Sequence, residues 1–432
     1  MNTMDTIKTT ELASHVGKPV KLRGWVHAVR QMGGIRFLIL RDGFGAAQAV
    51  FEGENVGLPQ PESVIDLWGV ATQNTQAPNG FEIQNPKIDL VAEVVDPLPV
   101  SLGKKELKAG LPTLLNNAVV LNRHPKRRAV FKLAAGAMAG FRSHLNQQGF
   151  TEFQSPKLVG SSTEGGSNVF ELPYFGRTAW LAQSPQFYKQ IMVGIFERVY
   201  EVGPVFRAES HDTSRHINEY VSLDVEFGFI ENHFTVMALV RDLLSAIFEH
   251  ISSHQRAEVD LLQAEIPTVP EQVPHIHFKH ALELITAETG ENIIGETDLS
   301  PKNERWLGEW AKQTHNSDFL FVVGYPMSKR PFYTHPDPTE PEWSNSFDLL
   351  FRGTELITGG QRLHIYAEYL SAIEKAGLEP ETFSEYLQAF KYGMPPHGGF
   401  AIGLERLIMQ LCNLPNVKLA TLFPRDMKRL SP

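Results

Sequence analysis

The order of apolar and polar residues in the first part of the chain has the two-residue period of half-buried strands. Glycine-containing turn signals (GG, DGFG and NG) separate several of the runs. The runs cover residues 18–29, 35–42, 46–51, 63–72 and 81–95. Five short strands with glycine at the bends predict a small five-stranded Greek-key β-barrel of the OB type. Such a barrel is either a nucleic-acid-binding module or a plain structural one.

The next part of the chain predicts a helix followed by strands. Residues 127–150 have helical spacing, and residues 151–159 have the pattern of an extended strand bent by Pro156. Two alternating runs, 196–209 and 220–230, flank a polar loop and predict an antiparallel hairpin. This hairpin is unusual because it carries charged residues on a face that should be buried.

The last third of the chain alternates between helical and extended patterns. Amphipathic helices fill most of residues 233–316. Extended segments return at 319–326, 347–360 and 397–412, and the last of them passes from strand into helix. Strands that pair locally, with helices outside them, predict an α+β domain on a mainly antiparallel sheet flanked by helices.

Length and composition are those of a globular protein with more than one domain. The 432 residues exceed one ordinary core, and 42% are hydrophobic and 21% charged. A polar, proline-containing stretch predicts a division into residues 1–103, a linker at 104–128 and a large domain at 129–432. The first residues lack the apolar core of a signal peptide, so we expect a cytoplasmic protein that uses no membrane. The single cysteine, Cys412, excludes an intrachain disulfide.

Charge is distributed unevenly along the chain. The net charge of -9 argues against a protein that coats nucleic acid through charge alone. Residues 18–41 nevertheless contain six Lys and Arg and no acid, and residues 104–128 contain seven basic residues against one acid, Glu106. Local basic surfaces on an acidic protein indicate a partner that contacts particular places.

No common nucleotide-binding motif is present, since GxxxxGK[ST] and a strand-linked GxGxxG are both missing. Four other stretches place charged or amide groups beside apolar or glycine-rich backbone, where burial without partners is costly. In the first, Glu164 precedes two glycines; a simple mobile loop has the same pattern. In the second, a QSPQ turn at 183–186 opens a helix that carries Lys189, and a solvated helix start is the alternative.

The loop of the predicted hairpin is the third stretch. Arg207 ends its first strand, and Glu209, Arg215 and His216 follow. Guanidinium groups match phosphate oxygens two at a time. The loop is therefore either a phosphate-binding loop or a surface loop with an exposed arginine.

The fourth stretch contains Asp348, Glu355, Thr358 and Arg362 on adjacent extended segments. Two carboxylates and a hydroxyl suit Mg²⁺, which takes oxygen ligands and keeps water and substrate phosphates. A structural network of ion pairs is the competing interpretation.

A glycine-rich strand end at 398–403 leads into a helix whose first turn contains Arg406. The helix dipole disfavours a cation there, so a bound anion or a stacked ring is the expected reason for it.

Together these stretches resemble class II aminoacyl-tRNA synthetases of subclass IIb, and the whole chain resembles the short archaeal-type aspartyl-tRNA synthetases. TEFQSPKL at 151–158 matches the first motif of that family, whose proline helps to form the dimer interface. FRAE at 206–209 matches the second motif and GGFAIGLERL at 398–407 the third. The resemblance implies an anticodon-binding barrel, a homodimer, ATP as substrate and Mg²⁺ as cofactor.

The resemblance also implies a nucleotide site with Arg207, Glu355 and Arg406 as catalytic residues. Arg207 would hold the α-phosphate and the substrate carboxylate, and Tyr220 and Arg406 would stack on the two faces of adenine. The implied metal ligands are Glu355, Thr358 and Asp348. The implied ATP-binding set is Arg207, Ala208, Glu209, Arg215, His216, Ile217, Tyr220, Glu355, Gly403, Leu404, Glu405 and Arg406.

Aspartate recognition follows from the same resemblance together with electrostatics. A β-carboxylate needs cations, and a carboxamide beside unpaired buried cations is rejected. Lys189 is the most informative position, because asparaginyl relatives lack a lysine there. The implied aspartate-binding set is Glu164, Gln186, Phe187, Tyr188, Lys189, Arg207, Asp224, Thr358 and Arg362.

The barrel would recognise the tRNA, because its side chains would stack on the anticodon bases and contact them. Family members that charge only the aspartate tRNA tend to have tryptophan at the position of His27 and lysine at that of Pro86. Histidine and proline resemble the non-discriminating members, which also load aspartate onto the asparagine tRNA for a separate amidotransferase. Both residues could instead be ordinary parts of the barrel.

Three alternatives remain at this point. An asparaginyl-tRNA synthetase is opposed by Lys189. A related enzyme that forms amides from free aspartate and ATP would lack the N-terminal barrel. A non-catalytic RNA-binding paralogue would have lost Arg207, Glu355 or Arg406.

Overall fold

The computed structural model describes residues 5–53, 57–160 and 168–431. The chain divides into two compact units, Met1–Pro125 and Lys126–Pro432.

The first unit is a closed β-barrel with the strand order β1-β2-β3-β5-β4. Its strands are β1 (Pro19–Met32), β2 (Ile35–Arg41), β3 (Ala46–Glu52), β4 (Val64–Gln73) and β5 (Phe81–Ala92). In β1 the side chains of Val20, Leu22 and Val26 are buried, whereas Arg23 and Trp25 between them are exposed. This alternation packs one face of each strand into the barrel, and the predicted OB-type fold is confirmed.

Two short helices follow the barrel within the first unit. They are α1 (Leu111–Asn116) and α2 (Ala118–Leu121), and both lie in the stretch predicted as a linker. Arg41 of the barrel donates to both carboxylate oxygens of Glu62 at 3.0 Å, and Arg123 after α2 donates to the same carboxylate at 3.3 Å. The segment after α2 is therefore tied to the barrel by a buried carboxylate.

The second unit is built on an eight-stranded sheet with the order β12-β13-β14-β15-β16-β11-β10-β6. Only the end pairs β12–β13 and β10–β6 are parallel, so the predicted α+β fold on a mainly antiparallel sheet is confirmed. The strands of the unit are β6 (Thr151–Glu152), β7 (Leu158–Val159), β8 (Glu171–Tyr174), β9 (Arg177–Leu181), β10 (Arg198–Phe206), β11 (Glu219–Gly228), β12 (His275–His277), β13 (Phe319–Val323), β14 (Ser346–Phe351), β15 (Thr354–Gln361) and β16 (His397–Gly403).

Helices cover the sheet and form three apolar clusters with it. The largest cluster joins the sheet to the long helices α3 and α5 and to α11. An aromatic cluster joins α4, α9 and α10, and a third joins α7 and α8 to β13. The helices are α3 (Pro125–Gln147), α4 (Gln186–Phe196), α5 (His233–His254), α6 (Arg256–Leu262), α7 (Phe278–Thr289), α8 (Pro301–His315), α9 (Tyr366–Lys375), α10 (Ser384–Lys391) and α11 (Leu404–Leu411).

The segment 151–159 differs from the prediction of one bent strand. It forms two short strands in different sheets: β6 pairs with β10 of the large sheet, and β7 pairs with β9 of a three-stranded sheet β7-β9-β8. Between them the N–H and hydroxyl of Ser155 donate to the buried carboxylate of Glu201 at 3.0 and 2.7 Å. These bonds and Pro156 break the strand, because the backbone there pairs with a side chain instead of a neighbouring strand.

The predicted hairpin is present as β10 and β11, paired antiparallel from Arg198↔Phe227 to Phe206↔Glu219. In β11, Leu223, Val225 and Phe227 belong to the largest apolar cluster. Ser222, Asp224 and Glu226 alternate with them and therefore point to the opposite face of the sheet. The acids Asp224 and Glu226 thus share one face of β11, which is where the candidate site lies.

Within the described ranges, none of the helices combines the length and the apolar character that a bilayer crossing requires.

Candidate active site

A cavity of about 350 Å³ lies against the polar face of β11 and is also lined by β15, β16 and the loop between β10 and β11. This loop, residues 207–218, is called the hairpin loop below. The structure brings fourteen of the sequence-predicted site residues together around the cavity. They are Gln186, Lys189, Arg207, Glu209, Arg215, His216, Ile217, Tyr220, Glu355, Thr358, Arg362, Gly403, Glu405 and Arg406.

Two buried cations form one end of the cavity. Lys189 of α4 and Arg362 after β15 are 1% and 7% exposed. Both contact Glu226, which is fully buried: Arg362 Nε donates to Oε1 at 2.9 Å, and Lys189 Nζ lies 3.3 Å from Oε2. Lys189 also donates to Asp224 at 3.1 Å. Buried charges are stable only when paired, so the two acids of β11 hold both cations in place.

Glu226 is ionised in this arrangement. Burial raises the pKa of its carboxyl, but the charges of Arg362 and Lys189 outweigh burial, and the pKa falls below its usual value. Gly399 of β16 makes room for this carboxylate, since a Cβ there would lie 2.1 Å from the Val225 carbonyl oxygen and 2.2 Å from Glu226 Oε2. The glycine-rich sequence of β16 is therefore required by the close approach of β11.

A chain of neutral hydrogen bonds orients Gln186 beside these cations. Gln186 donates to Gln190 Oε1 at 3.0 Å, and Gln190 Nε2 lies 3.0 Å from the Tyr369 hydroxyl and 2.9 Å from His397 Nε2. Burial lowers the pKa of His397 to about 4, so its ring is neutral. Its Nδ1 donates to the Pro395 carbonyl at 3.0 Å, which leaves Nε2 to accept from Gln190. Tyr386 completes the set by donating to Gln190 Oε1 at 2.9 Å. The Gln186 amide is thereby fixed by its neighbours.

The hairpin loop and its flanking strands form the other end of the cavity. The Arg207 guanidinium lies 5.7 Å from the centroid of the Tyr220 ring. Asn218 closes the base of the loop, because its amide donates to the carbonyls of Arg207 and Glu209 at 2.7 and 3.2 Å. An arginine stacked near an aromatic ring and next to open space is suited to a flat, anionic ligand.

Arg406 reaches this end from the first turn of α11. Its Nη1 donates to the Glu355 carbonyl at 3.0 Å and to Glu355 Oε1 at 3.1 Å. Burial raises the pKa of the Glu355 carboxyl, but Arg406, Arg330, Arg215 and Arg207 together lower it below its usual value. The convergence of these arginines creates a positive field that favours an anion.

Two further residues of the hairpin loop, Arg215 and His216, face the same space. Arg215 donates to Glu304 of α8 at 2.5 Å, and the Glu355 N–H donates to the same Glu304 oxygen at 2.9 Å. Burial and the charges of Arg406 and Arg215 lower the pKa of His216 against the opposing effect of Glu209. His216 is consequently a neutral hydrogen-bonding group near neutral pH.

Glu405 lies beneath the hairpin strand. Both of its carboxylate oxygens accept from the Val221 N–H, at 3.2 and 3.1 Å, and burial raises its pKa to about 7. This contact ties the backbone beside Tyr220 to the helix turn that carries Arg406.

Oxygen donors for a divalent cation gather on β14 and β15. Thr358 donates to Glu355 Oε1 at 3.5 Å, and Asp348 is the cross-strand partner of Thr358. Arg330 donates to Asp348 at 3.0 Å; burial nevertheless raises the pKa of Asp348 to about 6. In the described part of the chain no group of three or more His, Cys, Asp or Glu side chains is arranged to hold a metal ion. Two carboxylates and a hydroxyl still fit Mg²⁺ that takes its remaining ligands from water and phosphate.

The other predicted site residues do not line the cavity, or cannot be placed. Phe187 stacks on Tyr386 at 4.3 Å in the aromatic cluster, and Tyr188 beside it is half-buried. Ala208 donates its N–H to the Asn168 carbonyl at 2.7 Å, and Leu404 lies in the apolar core. Asp224 and Asp348 lie behind the lining, bonded to Lys189 and Arg330. Glu164 lies outside the described residues.

Charged residues of the site that the sequence interpretation missed include Lys329, which lines the cavity, and Glu226, Arg330 and Glu304. Glu226 could have been found, since it lies two residues after Asp224 on the same face of an alternating strand. Arg330 lines the cavity from an irregular segment, and Glu304 comes from an ordinary amphipathic helix. Neither residue belongs to a sequence pattern that points to the site.

The two residues assigned to tRNA discrimination lie in the barrel. His27 of β1 is half-buried, and its Nδ1 is buried without a hydrogen-bond partner among the described residues. Burial and the charges of Arg41, His124 and Arg30 lower the pKa of His27 to about 4. Pro86 lies at a bulge of β5 next to Asn85, whose φ is 50°.

A mainly antiparallel sheet whose β10–β11 hairpin presents arginine and tyrosine to a cavity, next to a strand-to-helix unit with a second arginine, defines the catalytic domain of a class II aminoacyl-tRNA synthetase. Residues 111–427 match the family described as tRNA synthetases class II (D, K and N), and residues 20–91 match the OB-fold nucleic acid binding domain. The chain therefore belongs to the class II tRNA synthetases of the D, K and N group.

Curated relatives and solved structures agree with this assignment over the full length. An aspartate–tRNA(Asp/Asn) ligase of Deinococcus radiodurans is 47% identical over 429 residues, covering 98% of each chain. One of Thermus thermophilus is 48% identical and covers 98% of this chain and 99% of its own. The crystal structure of asparaginyl-tRNA synthetase from Pyrococcus horikoshii complexed with asparaginyl-adenylate has a TM-score of 0.92 at 29% identity, with 100% of both chains covered.

Proposed function

We propose that the protein is an aspartate–tRNA ligase. In the first step a carboxylate oxygen of L-aspartate attacks the α-phosphorus of ATP, pyrophosphate leaves, and aspartyl-adenylate forms. In the second step a hydroxyl of the 3'-terminal ribose of tRNA attacks the acyl carbon, and AMP leaves. The observation that carries the proposal is the pair of buried cations, Lys189 and Arg362, at one end of a cavity whose other end is lined by arginines. The names of the Deinococcus and Thermus relatives support the same activity.

The arginines of the cavity would stabilise the charge that develops at the α-phosphorus. Arg207 lines the end of the cavity opposite the buried cations and would contact the α-phosphate and the reacting carboxylate. Tyr220 and Arg406 would hold adenine between them, and Glu209 would accept from its amino group. Arg215 and His216 would contact the outer phosphates. Positioning and electrostatic stabilisation account for most of the catalysis of such phosphorus chemistry.

Glu355 and Thr358 would hold Mg²⁺, with Asp348 as a further ligand. The ion would neutralise charge on the phosphates of ATP when bound. Two arginines would orient these carboxylates through hydrogen bonds: Arg406 donates to Glu355, and Arg330 donates to Asp348.

Choice of aspartate over asparagine would rest on the charge of the substrate side chain. A β-carboxylate would accept from Lys189 and Arg362 beside Asp224 and Glu226, whereas the NH₂ group of a carboxamide cannot accept from a cation. Gln186 would add an uncharged contact, and Phe187 and Tyr188 would support it from α4. Asp224 would face the substrate ammonium, and Glu164 would contribute from its loop.

The test is ATP–pyrophosphate exchange with each amino acid. We expect exchange with aspartate at least about 1000-fold more efficient, as kcat/KM, than with asparagine. Exchange driven by asparagine and not by aspartate would instead identify an asparaginyl enzyme. Absence of exchange with either, with retained RNA binding, would indicate a non-catalytic paralogue.

The chain would also charge the asparagine tRNA. The relatives named for both tRNAs support this, as do His27 and Pro86 at the two discriminating positions. His27 would act as a neutral ring, since its low pKa excludes an imidazolium near pH 7. Charging of transcripts with GUC and GUU anticodons tests the idea. A preference above about 100-fold for GUC exceeds one good base contact and would contradict relaxed specificity.

We further propose that the protein acts as a cytoplasmic homodimer and supplies a separate amidotransferase with Asp-tRNA(Asn). Support for the dimer is the match of 151–158, including Pro156, to the first motif of the family. Sedimentation at micromolar concentration should give twice the 48.4 kDa mass of the chain. A single 48.4 kDa species would contradict the dimer.

A further inference from the structure

Residues 417–426 lie against the outside of the hairpin loop, and three contacts join the two segments. The Val417 N–H donates to the Ser214 carbonyl at 2.8 Å, and the Asn218 N–H donates to the Arg425 carbonyl at 2.9 Å. The third contact is made by Lys418, whose Nζ lies 2.6 Å from Asp212 Oδ1. The loop is thus held at its outer part and at its base.

Lys418 is the buried centre of these contacts. Its side chain is 7% exposed, and the same Nζ lies 2.6 Å from Oδ2 of Asp426, whose side chain is 9% exposed. The Asn416 side chain accepts from the Lys418 N–H at 3.0 Å and fixes the backbone from which the lysine extends. A buried ammonium between two carboxylates has a defined position, because moving it would leave charges unpaired.

Lys418 does not line the cavity, whereas its neighbour Val417 does. The loop residues that this segment restrains are close to those that do. Asp212, which pairs with Lys418, lies three positions before Arg215 and four before His216. Ser214, which accepts from the Val417 N–H, directly precedes Arg215. On the other side Arg215 is held by Glu304 of α8. The outer part of the loop is therefore fixed between α8 and residues 417–426.

We propose that Lys418 is a positioning residue for the nucleotide, acting through Asp212 to set the place of Arg215 and His216. The proposal rests on the proposed function, since it assigns those two residues to the outer phosphates of ATP. It predicts an effect on ATP and little effect on aspartate, because the contacts of Lys189 and Arg362 lie elsewhere in the cavity.

The deciding variants are Asp212→Asn and Lys418→Met, with Lys418→Arg as the charge-conserving variant. Asp212→Asn keeps the buried Lys418–Asp426 pair, so it disturbs folding least. Matched controls are Asp260→Asn and Lys132→Met, which remove the charges of other ion pairs of the same unit, Arg256–Asp260 and Lys132–Glu258. The kinetics of ATP–pyrophosphate exchange, measured on the full chain, give KM for ATP and KM for aspartate separately.

We expect Asp212→Asn and Lys418→Met to raise KM for ATP about tenfold, as the weakening of one charged contact to the phosphates would, and to leave KM for aspartate within about twofold. Lys418→Arg should recover most of the loss. A KM for ATP in Asp212→Asn within about twofold of the wild type would overturn the proposal. So would an equal rise in both KM values, which is the sign of a general structural effect.

Hydrogen exchange of the hairpin loop gives a readout that does not depend on activity. The Asn218 and Val417 amides should exchange faster in Asp212→Asn than in the wild type and in Asp260→Asn, and unchanged exchange would overturn the proposal. A wild type that lacks aspartate-dependent ATP–pyrophosphate exchange would refute the proposed function itself. An active wild type with an unresponsive Asp212→Asn variant would refute only the role of Lys418.

Discussion

Glu226 shows how one buried acid determines the state of several neighbours. It is fully buried and contacts both Lys189 and Arg362, so it stabilises two cations that are themselves buried. Removing one member of such a group leaves an uncompensated buried charge. Its effect on stability is therefore larger than that of any exposed ion pair of the protein.

Glu226→Gln should lower the free energy of unfolding of the second unit by about 3 kcal/mol at pH 7. The folded pKa of Glu226 lies below the usual 4.5. The stability that its charge contributes is accordingly present above pH 4.5 and is lost as the pH falls through the folded pKa. The difference between variant and wild type, measured by urea unfolding, should shrink on acidification below that value.

The control is Glu258→Gln, because Glu258 pairs with the half-exposed Lys132 and should change stability by less than about 1 kcal/mol. An equal effect of the two substitutions would contradict the importance assigned to burial.

Lys189 determines the second prediction at this scale. Lys189→Met should lower kcat/KM for aspartate in pyrophosphate exchange by at least about 100-fold, because the substrate carboxylate loses a buried cation. KM for ATP should change much less. Lys329, which lines the cavity but is half-exposed, gives the matched control Lys329→Met, expected to affect discrimination between aspartate and asparagine little. A variant at Lys189 that keeps its preference for aspartate would contradict the assignment.

At the scale of elements, β11 and β16 depend on each other's sequence. The close approach that accommodates Glu226 leaves no space for a side chain at Gly399, since a Cβ would overlap the backbone oxygen of Val225. Backbone atoms in the centre of an eight-stranded sheet cannot move aside without breaking ladder hydrogen bonds.

Gly399→Ala should therefore destabilise the second unit by about 3 kcal/mol or more, visible as a lower thermal midpoint. Gly160→Ala is the matched control, because none of the described residues lies within 4 Å of a Cβ there. A normal midpoint for Gly399→Ala would mean that the two strands can separate locally.

The elements were predictable where a local pattern determines them. The five barrel strands and the hairpin β10–β11 follow from a two-residue period, and the strand-to-helix passage at Gly403–Leu404 follows from glycine before an amphipathic run. The prediction of one bent strand at 151–159 was wrong, because the backbone of Ser155 pairs with the side chain of the distant Glu201.

The site likewise combines residues that a local motif indicates with residues that only the fold brings together. Residues inside the motifs, such as Arg207 and Arg406, could be singled out from sequence, and both line the cavity. Arg330 and Glu304 were missed because only the fold brings them to Asp348 and Arg215. The roles assigned to individual residues remain predictions.

At the scale of the whole molecule, an acidic chain is proposed to bind a polyanion. The net charge of -9 opposes nonspecific association, while the basic stretches 18–41 and 104–128 offer local attraction. We expect tRNA binding to weaken steeply with salt, with a log–log slope of about -4 or steeper, as for several phosphate contacts.

Pyrophosphate exchange without tRNA should vary far less over the same range, because its charges are buried in the cavity. Filter binding and exchange assays from 50 to 300 mM KCl, about the range in which such effects are large, measure both. Equal salt dependence of the two activities would contradict this separation.

The contact between Asn218 and Arg425 has a consequence for how the protein is made. Ribosomes deliver a chain from its N-terminal end, and domains fold as they emerge. The barrel can fold early, but the hairpin loop lacks its contacts with residues 417–426 until that later stretch has been translated. A nascent chain can therefore hold a finished barrel while its candidate active site is still unformed, so that RNA contact would be possible before the proposed chemistry.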